Sequence, residues 1–229
     1  MLTGITRALE RGPSTVAPPS LPPFSLRRAD VSREALVERF VSEVSRVGGF
    51  VAHTSSAAEI VDYLLRLLPV IEDGAVAISD AVARHDPKLT KLLQMEEPEA
   101  ASNKDALLRA EIGVTFADFA IADTGTLVLV SGEERHRLVS LLPPIHVCLL
   151  DPDRIVANLT ELLRQTGQRC YSRELAPYAI TLITGPSRTA DIEHTVTTGV
   201  HGPRELHILL YSKRRNHDAS GKSDIAGTS

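Results

Sequence analysis

The chain has no tryptophan, only two cysteines and two methionines, and aromatic residues make up 4% of its 229 positions. The two cysteines, Cys148 and Cys170, are too few and too widely spaced for a cysteine-ligated iron–sulfur cluster or a structural zinc site. Nowhere do about eighteen apolar residues run together, so no membrane-spanning helix is expected. No basic stretch followed by an apolar one stands near the first residue, so a secretory leader is not expected either. Excess positive charge is absent too: 25 Lys and Arg stand against 29 Asp and Glu, a net charge of −4. Nucleic acid and anionic membranes are therefore not expected as partners. The glycine-rich dinucleotide and Walker loops and the GxSxG elbow are all missing, which leaves dinucleotide, P-loop and serine-hydrolase chemistry without support. His194, His201 and His207 match neither zinc-finger pairs nor an HExxH helix, and no metal site is expected.

What is present is an ordinary globular composition, 43% hydrophobic and 24% charged, with chain enough for a substantial core. Five prolines between Gly12 and Pro23 forbid a regular helix or central strand, so residues 1–30 read as a proline-rich arm. Residues 213–229, opening on Lys213-Arg214-Arg215, read as a disordered polar tail. Between them, helical and strand signals alternate. Leu36, Val37, Phe40, Val41, Val44 and Val47 share one helical face, closed by Gly48-Gly49. Ser56-x-x-Glu59 resembles a capping box for a helix through Leu68. Phe50–Ala52, Ala75–Ile78, Ala120–Ala122, Thr126–Val130, Ala179–Ile183 and Leu206–Tyr211 read as strands, and Ile145–Leu150 as one buried on both faces. Helical pieces are expected over Lys88–Met95 and Asn103–Glu111. Another, capped by Asp151 or Asp153, is expected to carry Ile155, Val156, Leu159, Leu162 and Leu163 and to end at Gly167. The charge run Glu133–Arg137 reads as a solvated loop. Short apolar strands alternating with amphipathic helices imply an α/β domain over 31–212 with a mostly parallel sheet.

The segment most suggestive of chemistry is Gly185-Pro186-Ser187-Arg188-Thr189-Ala190-Asp191-Ile192-Glu193, followed by Gly199-Val200-His201-Gly202-Pro203. A buried strand, a small-residue loop and a helix capped by Ser187 or Thr189 would turn free backbone N–H groups toward an anion, and Arg188 would add a bidentate donor. An ordinary strand-to-helix turn is the competing reading. These two segments resemble the LutC/YkgG family of lactate-utilisation proteins, the LUD domain. So do Ala117-Asp118-Phe119-Ala120-Ile121-Ala122-Asp123-Thr124-Gly125-Thr126-Leu127-Val128-Leu129 and Ser140-Leu141-Leu142-Pro143-Pro144-Ile145-His146. The likeness runs from about Phe116 to Tyr211 and more weakly back to Val31.

The resemblance implies a three-layer α/β/α fold similar to the NagB/RpiA/CoA-transferase group. It also implies a cytoplasmic subunit of a lactate-oxidising complex whose iron–sulfur clusters sit on partner subunits, with none on this chain. Ligands of open parallel sheets bind outside the carboxyl ends of the strands, so the family blocks are expected to converge there. Asp123 and His201 are the catalytic candidates. Thr124, Gly125, Thr126, Gly185, Ser187, Arg188, Thr189, Asp191, Glu193 and Gly202 are the candidate contacts for a small carboxylate. Relatives commonly carry Glu where Asp123 stands, and fold-related CoA transferases use a glutamate as nucleophile. A shorter side chain sets its carboxylate back from attack distance. Asp123 as a cap of the Thr-Gly turn is the plainer reading, and His201 can equally be a loop histidine bonding backbone carbonyls. The rival function is a free-standing CoA-transferase- or isomerase-like enzyme acting on a small acyl or phosphorylated substrate.

Overall fold

The computed structural model describes residues 31–68, 75–92, 104–131, 136–170, 179–190, 196–199 and 201–212. The proline-rich arm and the polar tail lie outside them. Helix α1 (Arg33–Arg46) starts where the Ser32 hydroxyl accepts the Ala35 N–H. It stops in a Schellman turn: Gly48, at φ 82°, donates to the Ser45 carbonyl and Gly49 to that of Val44, so the Gly-Gly pair consumes carbonyls the helix would leave bare. Strand β1 (Phe50–Thr54) leads to α2 (Ala57–Leu67). The capping box forms there, the Ser56 hydroxyl accepting the Glu59 N–H at 3.3 Å while the Glu59 carboxylate accepts the Ser55 N–H at 2.8 Å.

Strands β2 (Val76–Ile78), β3 (Ile112–Phe116), β6 (Ile145–Leu150) and β11 (Glu205–Tyr211) join β1 in a parallel sheet of five strands, ordered β1-β11-β6-β3-β2. Its two faces divide by residue parity, since successive side chains of a strand point to opposite sides. Ile112, Val114, Val147, Leu149 and Leu209 pack against Ile60 and Leu64 of α2, Val82 of α3 (Asp80–His85) and Leu89 of α4 (Pro87–Leu92). Cys148, Leu150, Leu206, Ile208 and Leu210 face the other way, onto Phe40 and Val44 of α1 and onto a second sheet.

That second sheet has four strands in the order β7-β4-β5-β8, with β4 Phe119–Ile121, β5 Thr126–Ser131, β7 Ile155–Val156 and β8 Ala179–Ile183. β5 runs antiparallel to β4 and β8, and β7 parallel to β4. Helix α7 (Leu159–Cys170) covers its outer face through Leu162. Helices α5 (Lys104–Arg109) and α6 (His136–Leu141) bury Leu107 and Val139 with Ala77 of β2. α6 passes so close to β3 that a Cβ on Gly113 would stand 2.0 Å from the Val139 carbonyl oxygen. The whole is a three-layer α/β fold on a parallel principal sheet, the class read from the sequence.

Several local expectations fail for identifiable reasons. No helix follows Ser187: β9 (Arg188–Ala190) pairs antiparallel with β10 (Val196–Thr198). β-branched Thr189, Val196, Thr197 and Thr198 suit that ladder better than a helix. β8 is an edge strand rather than a buried one, with Ile180 44% and Leu182 50% exposed. Asp151 caps only a single 3-10 turn, Pro152–Arg154. Ile155 and Val156 are taken into β7 by pairing with β4, and Asn158, whose side chain accepts the Glu161 N–H at 2.9 Å, starts α7. That helix continues through Gly167 to Cys170. The helical piece over 88–95 is present as α4 as far as Leu92, and 93–95 lie outside the described residues; the piece over 103–111 ends at Arg109, as α5. The end of the charge run, His136-Arg137, opens α6.

Candidate functional site

A cavity of about 270 Å³ lies at the amino ends of β6 and β11. This is the opposite end of the sheet from the one expected to collect the family blocks. The reason is the second sheet: β8 and the loops that follow it lie against the second face of the parallel sheet, beside the starts of β6 and β11. The loop Gly185–Ser187 supplies one wall and His201–Pro203 another, with Ser140 and Leu141 from the end of α6 and His146 and Leu206 from the parallel strands. Two backbone hydrogen bonds clamp the two loops, Ser187 N–H to the Pro203 carbonyl at 2.9 Å and Gly199 N–H to the Ser187 carbonyl at 3.0 Å, and Arg204 N–H ties the second loop to the Pro144 carbonyl ahead of β6 at 2.7 Å. The Ser187 hydroxyl also accepts the His201 N–H at 3.4 Å. Ser187 therefore ties the loops together instead of capping a helix.

His146 is the group the sequence reading missed. It is 1% exposed, and its Nε2 meets the Thr115 hydroxyl at 2.8 Å. Its Nδ1 has no hydrogen-bond partner among the described residues. Burial first, and then the charge of His207, push its pKa down to about 3, so the ring is neutral at physiological pH. The neighbour of His146 across the ladder is Gly113, whose missing side chain leaves room for α6 to descend. A signal was available in the sequence: a histidine inside a run buried on both faces must find a partner for each ring nitrogen.

The predicted residues divide between three places. Gly185, Ser187, His201 and Gly202 line the cavity, His201 with an exposed side chain. Gly185 needs its φ of 89° to turn past Val47, whose carbonyl oxygen would be 3.1 Å from a Cβ. Thr124, Gly125 and Thr126 form the β4–β5 turn behind that wall. Thr126 Oγ1 lies 2.7 Å from Thr124 Oγ1 and 2.7 Å from Thr184 Oγ1, and Thr184 lines the cavity. Gly125, at φ 62°, lets the turn approach α1, since a Cβ would stand 2.6 Å from Val44 N.

Asp123 is not among the lining residues; its carboxylate pairs with Arg39 of α1 at 3.3 Å, both side chains partly exposed. Arg188, also outside the lining, places its guanidinium against Gly48, at the carboxyl end of α1 where positive charge is favourable. Thr189 belongs to β9, and Asp191, Glu193 and His194 lie outside the described residues. Cys148 is a free, buried thiol that burial pushes up to about 12, protonated and unreactive at neutral pH. His207 is a satisfied core histidine, bonded to the Tyr63 hydroxyl at 2.9 Å and to Glu205 at 3.0 Å.

A profile described as the LUD domain matches residues 37–211, a span that holds both sheets and the cavity. The chain belongs to the LUD domain family. "Lactate utilization protein C" of Halalkalibacterium halodurans is 34% identical over 143 residues, 57% of this chain and 62% of that protein. The chain thus spans less than two thirds of that relative. The protein of the same name from a Geobacillus species is 29% identical over 195 residues, 80% of each chain. "Uncharacterized protein YkgG" of Escherichia coli is 29% identical over 191 residues, 80% of this chain and 83% of that one. The crystal structure of a DUF162 family protein from Deinococcus radiodurans is similar in fold, with a TM-score of 0.58 at 23% identity, covering 80% of this chain and 99% of that one.

Among the described residues no helix is long and apolar enough to cross a membrane, and no group of three metal-binding side chains assembles.

Proposed function

We propose that this LUD domain chain takes part in lactate utilisation as a ligand-binding accessory subunit of a cytoplasmic complex that oxidises L-lactate to pyruvate. The electrons pass to iron–sulfur clusters held on separate subunits. Similarity to proteins called lactate utilization protein C supports the pathway. The observation that carries a binding role is the cavity. Its facing walls, Gly185–Ser187 and His201–Pro203, come from the two segments that the sequence singles out for chemistry, and backbone hydrogen bonds hold them together. Small hydroxyl, imidazole and apolar groups around about 270 Å³ suit a small carboxylate with an oxygen to recognise. Polar groups placed on an otherwise apolar concave wall are how small-molecule sites orient their ligands.

The reading is tested by recovering the tagged chain from its lactate-grown host and assaying lactate-dependent dye reduction. The expected eluate contains iron–sulfur subunits, is active, and loses activity when reconstituted without this chain. An eluate holding this chain alone, with no lactate-dependent reduction, overturns the proposal.

A further inference from the structure

We infer that Gly202 sets the length of 2-hydroxy acid that the cavity takes: the carbon-sized space it leaves open between Ser187 and Leu141 receives the alkyl group of an acid longer than lactate. The inference rests on the lactate reading above and adds the breadth of the substrate class.

Three observations lead there. First, nothing in the packing asks for a glycine at this position. Seven glycines have described surroundings, and six of them either hold a φ of 62–89° or would bring a Cβ to 2.7 Å or less from a neighbour. Gly202 does neither. Its φ lies outside the left-handed region, and the nearest neighbours of a Cβ there would be Ser187 Cβ at 3.4 Å, Ser187 Oγ at 3.8 Å and Leu141 Cδ2 at 3.9 Å. These are ordinary van der Waals distances, so a carbon atom fits at that point without moving its surroundings.

Second, the free point lies between residues of the cavity lining. Gly202, Ser187 and Leu141 all belong to it, Ser187 from the loop after β8 and Leu141 from the end of α6. A ligand carbon placed there touches two walls at once.

Third, the cavity has room to spare and no countercharge to offer. Its volume of about 270 Å³, against about 30 Å³ for one liquid water, exceeds what a three-carbon acid fills. No lysine, arginine, aspartate or glutamate lines it. A carboxylate carried inward would lose its water without meeting an opposite charge, which is costly. The charged end therefore stays hydrated, and the alkyl end enters among Leu141, Ile183 and Leu206.

The test is a pair of dissociation constants, for L-lactate and L-2-hydroxybutyrate, measured by calorimetry on the full chain. Wild type is expected to bind the longer acid about fourfold more tightly, the effect of taking one further methylene out of water. Gly202→Ala, whose methyl occupies the free point, should bring the two affinities level or reverse their order. Leu141→Phe, which narrows the same space from the α6 side at a position 37% exposed, should act in the same direction. It carries the test where circular dichroism shows that Gly202→Ala does not fold. Wild type binding lactate as tightly as the longer acid, or more tightly, overturns the inference without any variant. So does an intact preference in either variant once folded. Binding of neither acid overturns it as well and removes the ligand part of the proposed function, while membership of the complex is decided separately by the recovery experiment.

Discussion

At the carboxyl ends of the parallel strands, the Tyr211 hydroxyl donates to the Asp86 carboxylate at 2.5 Å, the Lys88 N–H adds a second bond to that carboxylate at 3.1 Å, and His85 stacks on Phe116 with ring centroids 4.1 Å apart. At the amino ends, His146, a residue of the cavity lining, has Thr115 at Nε2 and no partner at its buried Nδ1 among the described residues. Both ends carry buried polar groups, and both leave some unmatched: the hydroxyls of Thr54 and Ser79, at the ends of β1 and β2, also lack partners among the described residues. The difference lies in the ionisable groups. Asp86, 3% exposed, has its demand met by neighbours in the chain, whereas the His146 ring has half of its demand left over. Open parallel sheets ordinarily take ligands at the carboxyl ends. Here the second sheet and its loops build the walls of a cavity at the amino ends instead, so the location of the cavity follows the added layer as much as the topology of the sheet.

The sharpest way to separate the two ends is acid. His146 is fully buried and its pKa falls from 6.5 to about 3, so the unfolded chain takes up a proton below about pH 6.5 that the folded chain refuses until about pH 3. A depressed folded pKa means that the stability is complete above the higher value and is lost as the pH falls toward the lower. The full window amounts to about 4–5 kcal/mol, and about half of it is spent by roughly pH 4.5. Urea unfolding at pH 7 and pH 4.5 should show the wild type losing about 2–3 kcal/mol more than His146→Leu. Equal losses in the two proteins would place the acid-sensitive group elsewhere and weaken the contrast between the ends.

At the carboxyl end the corresponding break is Asp86→Ala. It leaves the Tyr211 hydroxyl buried without an acceptor and frees the Lys88 N–H at the junction of α3 and α4. A loss of about 2 kcal/mol in unfolding free energy is expected, the scale of a buried hydrogen bond to a charged group. Lactate affinity, read by calorimetry on the folded protein, should stay within twofold of wild type. A large change in affinity would mean that the two ends are not independent and that the carboxyl end belongs to the ligand site.

The same contrast explains what the sequence disclosed. Ile145–Leu150 announces a strand buried on both faces, and Ser56 with Glu59 announces the start of a helix, because the physics in each case is local: burial periodicity for one, a side chain three residues from its N–H for the other. The Ser187 region defeats that approach. Its bonds go to Pro203, Gly199 and His201, contacts between segments that no local pattern encodes, so a Gly-Pro-Ser step before polar residues reads as the start of a helix. The parity of β6 was readable, and with it the cost of placing His146 there; what was not readable is that Thr115 satisfies only one nitrogen. Arg188 shows the same limit from the other side. A guanidinium after a Gly-Pro-Ser loop looks like an anion donor, yet tertiary packing lays it against Gly48.

The smallest effect concerns Asp123, where the ligand-binding and free-standing-enzyme readings part most cleanly. A carboxylate that attacks an acyl group needs an open approach and a fixed position within reach of the substrate. Asp123 instead spends its charge on Arg39 at 3.3 Å, in a turn separated from the cavity by the hydroxyls of Thr126 and Thr184. Exposed ion pairs of this kind contribute under about 1 kcal/mol. Asp123→Asn should therefore shift the urea midpoint only slightly, leave lactate affinity unchanged, and leave lactate-dependent dye reduction by the recovered complex intact. A transferase or isomerase that depends on this carboxylate requires the opposite: turnover of an acyl or phosphorylated substrate by the isolated chain, abolished by the same substitution. Finding that loss would move the chemistry from the cavity to the β4–β5 turn, and the Arg39 pair would then have to be read as the resting partner of a nucleophile.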